Sequence, residues 1–97
     1  MDGLKFEWSK AKNATNQLKH GISFDEAQTV FFDEYATQFF DEEHSNDEER
    51  FIMLGMSHRA RVLVVCHCER KGGNVIRIIS ARKATAREKS YYRGPTP

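Results

Sequence analysis

Two arginines stand inside an otherwise apolar run, Val75-Ile76-Arg77-Ile78-Ile79-Ser80-Ala81-Arg82. A guanidinium in such a run needs a partner, because it is rarely buried alone. One partner is a phosphate, whose oxygens match the planar guanidinium fork. The other is one of the ten acids between residues 25 and 49. On an unbroken strand Arg77, Ile79 and Ala81 share a face and Arg82 points the other way. Arg82 stands where the strand gives way to a helix, and a bend there would bring both arginines into one cleft. Both readings stand for Arg77; for Arg82 the junction favours the phosphate.

A second cluster is Lys12, Asn16, Lys19 and His20. These positions lie about one turn apart on a helix. They form either a cationic ridge that positions a nucleic-acid backbone or a solvated face complementing the helix dipole. His20 offers proton transfer near neutral pH. His67, between Cys66 and Cys68, is either a second acid or base or a hydrogen-bonded structural histidine. Zinc is not expected: His44 and His58 exist, but there is no C-x-x-C and no spaced His pair. The run Glu42 to Glu49 reads as an exposed acidic loop, and no glycine-rich phosphate loop or nucleophile elbow is present. Trp8, Tyr91 and Tyr92 offer stacking surfaces for bases, with core packing the rival reading for Trp8.

The net charge of +1 conceals strong segregation. Residues 25–49 carry ten acids and no base, whereas residues 59–97 carry ten bases and only Glu69 and Glu88. Such polarity predicts a basic face able to hold polyanions, or two solvated surfaces. The 97 residues suffice for one domain, expected over 1–97. The longest apolar run, Val62 to Cys66, is too short to span a membrane, and Met-Asp-Gly-Leu-Lys lacks a signal-peptide core. Two cysteines two apart are awkwardly placed for a disulfide, so a reduced, cytoplasmic protein is expected.

The elements that must position these residues can be read from periodicity and turn chemistry. Leu4 to Trp8 alternates as a strand. Ser9 caps a helix whose apolar side is Ala11, Ala14 and Leu18, ending at Gly21. Ser23-Phe24-Asp25-Glu26 is a capping box opening a second helix over 24–33. Tyr35–Phe40, Phe51–Met56, Arg61–Glu69 and Val75–Ala81 read as strands, the last two joined by the Gly72-Gly73 turn. A basic helix is expected from 83 to 92, ended by Gly94 and Pro95. Short connections imply antiparallel pairing, so the expected class is α+β, an antiparallel sheet with two helices after the first strand and one at the C-terminus.

Several blocks in order resemble the BrnT toxins of bacterial type II toxin–antitoxin systems. They are Lys19-His20-Gly21-Ile22-Ser23-Phe24-Asp25-Glu26-Ala27, Val30-Phe31, Asp41-Glu42-Glu43-His44-Ser45, Glu48-Glu49-Arg50-Phe51, and Arg77-Ile78-Ile79-Ser80-Ala81-Arg82-Lys83-Ala84 with Glu88 and Tyr92. Ser9 departs from the acid common after the tryptophan; an N-cap role survives that change. The resemblance implies a RelE-like fold and a ribonuclease that arrests translation. It further implies neutralisation by a DNA-binding BrnA-type antitoxin, through which alone the pair would reach operator DNA. On that footing the expected catalytic set is Arg77, Arg82, His20, Lys19 and His67, acting on RNA by 2′-OH attack without metal or cofactor. Lys12, Asn16, Lys83, Arg87 and Tyr91 are expected to bind RNA. The antitoxin is expected either on the basic face around the last strand or on the acidic block. The alternative is a non-catalytic nucleic-acid- or antitoxin-binding module acting as a co-repressor.

Overall fold

A computed structural model describes residues 3–95. The elements are β1 (Lys5–Glu7), α1 (Lys10–His20), α2 (Phe24–Ala27) continuing into a 3-10 turn over Gln28–Phe32, β2 (Thr37–Phe40), β3 (Phe51–Met56), β4 (Val62–Arg70), β5 (Val75–Lys83) and α3 (Ala86–Lys89). They form one five-stranded sheet in the order β1-β5-β4-β3-β2. Strands β2 to β5 pair antiparallel, as their short connections require. β1 is freed from that constraint by the long chain between it and β5, and joins β5 in parallel, so the sheet is mixed. Among the described residues no helix is long and apolar enough to cross a membrane.

The sheet has two unlike faces. Ile22, Phe24, Ala27 and Val30 pack with Leu63, Val65, Ile76, Ile78 and Ala81 on the face covered by α1 and α2. Trp8 packs against that core, edge-on to Phe24. Leu54, Val62, Val64, Ala84 and Tyr92 form a smaller cluster on the opposite face. There the C-terminal segment covers only part of the sheet.

The helix α1 departs from its expected orientation. Its caps are as read: Ser9 Oγ accepts from the Lys12 N–H at 3.2 Å, and Gly21 closes it at φ 70°. Its sheet-facing residue, however, is Asn16, 5% exposed, while Ala11 and Ala14 are exposed and Leu18 is 91% exposed. β1 pairs with β5 only as far as Arg77, which leaves the β5 edge beyond it without a strand neighbour. The Asn16 amide supplies the missing pairing. It donates to Ala81 O at 2.8 Å and accepts from the Ala81 N–H at 3.1 Å, and also donates to Ile22 O at 2.8 Å. Two buried backbone groups needed partners, so a polar residue outcompeted apolar spacing. Asn16, expected to bind RNA, is thereby committed to the fold.

The C-terminal helix is also shorter than the expected 83–92. β5 runs to Lys83, paired with Leu63, and the Ala84 N–H reaches Val62 O at 2.9 Å. Thr85 then caps a single turn whose Glu88 closes a capping box. After Ser90 the chain turns back to bury the Tyr92 ring, whose hydroxyl donates to Asp33 Oδ2 at 2.6 Å. Burial, with this bond and the Asp33 charge, pushes the Tyr92 phenol up. A helix continued to residue 92 would forfeit that anchorage.

Candidate active site

The cleft begins with an irregularity in β5. Cys66 pairs with Ser80, but the next residue, His67, pairs with Ile78, leaving Ile79 as a bulge. One extra residue inverts the alternation. Arg77, Ser80 and Arg82 therefore point to the same face, the one opposite the helices. The bend that turns both arginines to one face thus lies within the strand, four residues before its end at Lys83.

On this face Ile52, Val64 and Cys66 floor a cleft of about 250 Å³. Asp41, His44, Arg50, Ile79, Ser80 and Arg82 complete its lining. The first three come from the segment read as an acidic loop over Glu42 to Glu49 and from the residues on either side of it, and its geometry is built, not loose. Asp41 is buried, its N–H held by Arg50 O at 2.8 Å. The Ser45 hydroxyl accepts from the Arg50 N–H at 2.9 Å. His44, one helical turn after Asp41, places Nδ1 3.0 Å from Asp41 Oδ2. That contact fixes the ring and its tautomer, with Nδ1–H donating and Nε2 left for chemistry. The His44 side chain is 60% exposed. Arg50 has a buried Nε without a hydrogen-bond partner, 3.9 Å from the nearest Glu48 oxygen.

Arg82 forms a two-pronged pair with Glu88: Nη1 to Oε1 at 2.7 Å and Nη2 to Oε2 at 2.8 Å. Glu88 also accepts from the Thr85 N–H at 2.9 Å. The hydrogen bond from Arg82 is the main reason Glu88 is held down to about 2. The same contact raises Arg82. A guanidinium has five N–H donors, and the Arg82 side chain remains 41% exposed. Glu88 therefore orients Arg82 without consuming it. Cys66 is no nucleophile here: burial, reinforced by Asp41, pushes its thiol up and keeps it protonated.

The other expected site residues lie elsewhere. Arg77 shares the face but not the cleft. Its Nη1 donates to Glu7 Oε2 at 3.1 Å, its own register partner on β1. So both arginines have carboxylate partners, and neither partner belongs to the acidic block. His67 lies on the helix side, 0% exposed. Phe31 meets its ring edge-on and Phe51 stacks on it; its nitrogens face Val65 O at 3.4 Å and Gln38 Oε1 at 3.1 Å. Burial pushes its pKa down. Neither nitrogen is open to a substrate in this arrangement. Lys12, Lys19 and His20 line a separate groove between α1 and β5. Lys83, Arg87 and Tyr91 are exposed, outside the cleft. The missed residues are Asp41, His44 and Arg50. Their signal was the Asp-x-x-His spacing, which puts both side chains on one turn.

The family model described as "Ribonuclease toxin, BrnT, of type II toxin-antitoxin system" matches residues 8–88. The chain belongs to the BrnT family. Its fold is that of the Brucella abortus ribonuclease toxin BrnT, whose crystal structure aligns with a TM-score of 0.63. That alignment covers 84% of this chain and 97% of the Brucella chain, at 23% identity. No curated protein sequence matches the chain. The residues of the cleft fall inside the segment that matches the BrnT family, and so do both arginines of β5. Among the described residues no three His, Cys, Asp or Glu side chains gather as a metal site would require.

Proposed function

We propose that this BrnT-family chain cleaves RNA by attack of the ribose 2′-OH on its own 3′ phosphate, without a metal. The observation that carries the reading is one cleft lined by an aspartate-held histidine and two arginines. His44 Nε2 accepts the 2′-OH proton as the O2′–P bond forms. The P–O5′ bond breaks, and the 5′ oxygen takes a proton from the same imidazole or from solvent. Arg82 and Arg50 balance the charge gathering on the phosphate oxygens, which fixed cations do best when already oriented. Glu88 supplies that orientation for Arg82, and Asp41 for His44. Cleavage of this kind arrests translation, and a cognate BrnA-type antitoxin neutralises it by covering the cleft and carries the pair to operator DNA.

Labelled RNA incubated with the purified protein in EDTA tests the reaction. The expected products end in a 2′,3′-cyclic or 3′ phosphate and a 5′-OH, and an all-deoxy strand stays intact. Strict dependence on added magnesium overturns the mechanism. A second reading is favoured by the Glu88 pair, which already occupies the Arg82 fork. In it Arg82 is structural and the basic surface only binds. Equal retention of RNA and DNA with no cleavage of either supports that reading.

A further inference from the structure

The open edge of β5 joins the cleft to a second groove. β1 covers β5 at Val75–Arg77, and α1 takes over at Ala81 through Asn16. Between the two lie the bulge residue Ile79 and its neighbour Ser80. Both line the cleft, and both also line a groove of about 330 Å³ whose other wall is Ala11, Lys12, Thr15, Asn16, Lys19 and His20. The two depressions thus share a rim made of two residues.

The groove is cationic in a way the cleft is not. No carboxylate lines it, and α1 carries no acid along its length. Arg50, Arg59, Arg61, Arg70, Arg77 and Arg82 each have a carboxylate within 4.0 Å. Among the described residues neither Lys12 nor Lys19 has one. Both lysines are exposed. Uncommitted cations hold only mobile counterions, and a polyanion that replaces those ions gains their release.

We infer that this groove is a subsite for the phosphates flanking the cleavage point. It rests on the reading of the cleft as the ribonuclease site. An RNA strand with its scissile phosphate against Arg82 crosses the Ile79–Ser80 rim and lays its next phosphates along Lys12 and Lys19. Lysine is a point charge on a flexible stem, so the subsite positions the backbone and reads no sequence. Its place beside the cleft favours a continuous nucleic-acid strand over a separate acidic protein segment.

The test uses 2′-O-methyl RNA, which binds but cannot be cut, so it does not depend on turnover. Binding of a dodecamer and of a tetramer is measured by fluorescence anisotropy over a range of salt, for the natural protein and for Lys12→Ala/Lys19→Ala. The dodecamer is expected to lose about tenfold in affinity, and its log–log salt slope to flatten by about 1.4, two single-strand phosphate contacts. The tetramer loses less. Lys12→Arg/Lys19→Arg restores the slope, since it keeps both charges. Equal losses on both lengths, or an unchanged slope with the dodecamer, overturn the subsite. Cleavage of unmodified RNA is followed separately. Length-dependent binding without cleavage keeps the subsite and removes the reaction; cleavage without length dependence does the reverse.

Discussion

The two faces of the sheet treat the same side chain in opposite ways. On the helix side His67 lies between Phe31 and Phe51, with one ring nitrogen against Val65 O and the other against the Gln38 side-chain amide. On the other face His44 has one nitrogen held by Asp41 and most of its side chain in solvent. The arginines share the cleft face and still divide: Arg77 is bound to the β1 edge by Glu7, while Arg82 lines the cleft under the control of Glu88. Position in the middle of a strand makes a residue structural unless the opposing surface is left open. Here the C-terminal segment packs on Leu54, Val62, Val64 and Ala84, and the cleft opens beside it over Ile52, Val64 and Cys66.

The largest expected effect separates the histidines. His44→Gln removes the base and should slow cleavage by about 10²–10⁴-fold with the melting temperature little changed. Asp41→Asn leaves the imidazole but disturbs its orientation, and a smaller loss with an altered pH–rate profile is expected. Arg82→Ala and Arg77→Ala divide the arginines. Losing a charge held against the phosphate transition state costs on the order of 3–4 kcal/mol, so Arg82→Ala should fall about 10²–10³-fold in kcat. Arg77→Ala should change kcat little. An equal fall for both would mean that the cleft extends along β5 past the bulge.

His67 sharpens the comparison through stability. Removing a fully buried ring leaves a cavity, so His67→Ala should cost about 3 kcal/mol of folding free energy while its folded fraction still cleaves. Burial favours the neutral ring, so the unfolded chain binds the proton more readily than the folded one. The stability conferred by neutral His67 is present above the unfolded value near pH 6.5 and is lost as pH falls below it. His67→Leu should flatten that part of the stability–pH curve, measured by urea unfolding at successive pH values.

Much of the fold was legible because local signals agreed with tertiary ones. Ser9, Gly21 and Ser23 mark helix ends by their own hydrogen-bonding and backbone chemistry, and β3 lies over the residues its apolar run marked. Asn16 and Leu18 were illegible for one reason: whether α1 meets a core or an unpaired strand edge depends on where β1 stops along β5, and Asn16 finds its partner Ala81 65 residues away. The bulge at Ile79 left no sequence mark either, since isoleucine suits any strand position. Without it Arg82 would point into the helix side. The Asp41–His44 pair lay within a run of acids, and a charge run taken whole conceals the one carboxylate that is buried.

Glu88 yields the finest distinction, because it ties Arg82 to α3. Its carboxyl is held down to about 2, first by the Arg82 hydrogen bond, against an ordinary value of 4.5. Between these values the unfolded chain takes up a proton that the folded one refuses. The stability Glu88 confers is therefore complete above about pH 4.5, declines as pH falls, and is gone below about pH 2. Glu88→Gln should lower the melting temperature at neutral pH and flatten the acid limb of the curve through that window. If Glu88 also holds Arg82 ready for phosphate, the same variant loses kcat a few-fold while KM stays near its natural value. A gain in cleavage would instead mark Glu88 as a competitor that the substrate must displace, and Arg82 as a side chain freed by its removal.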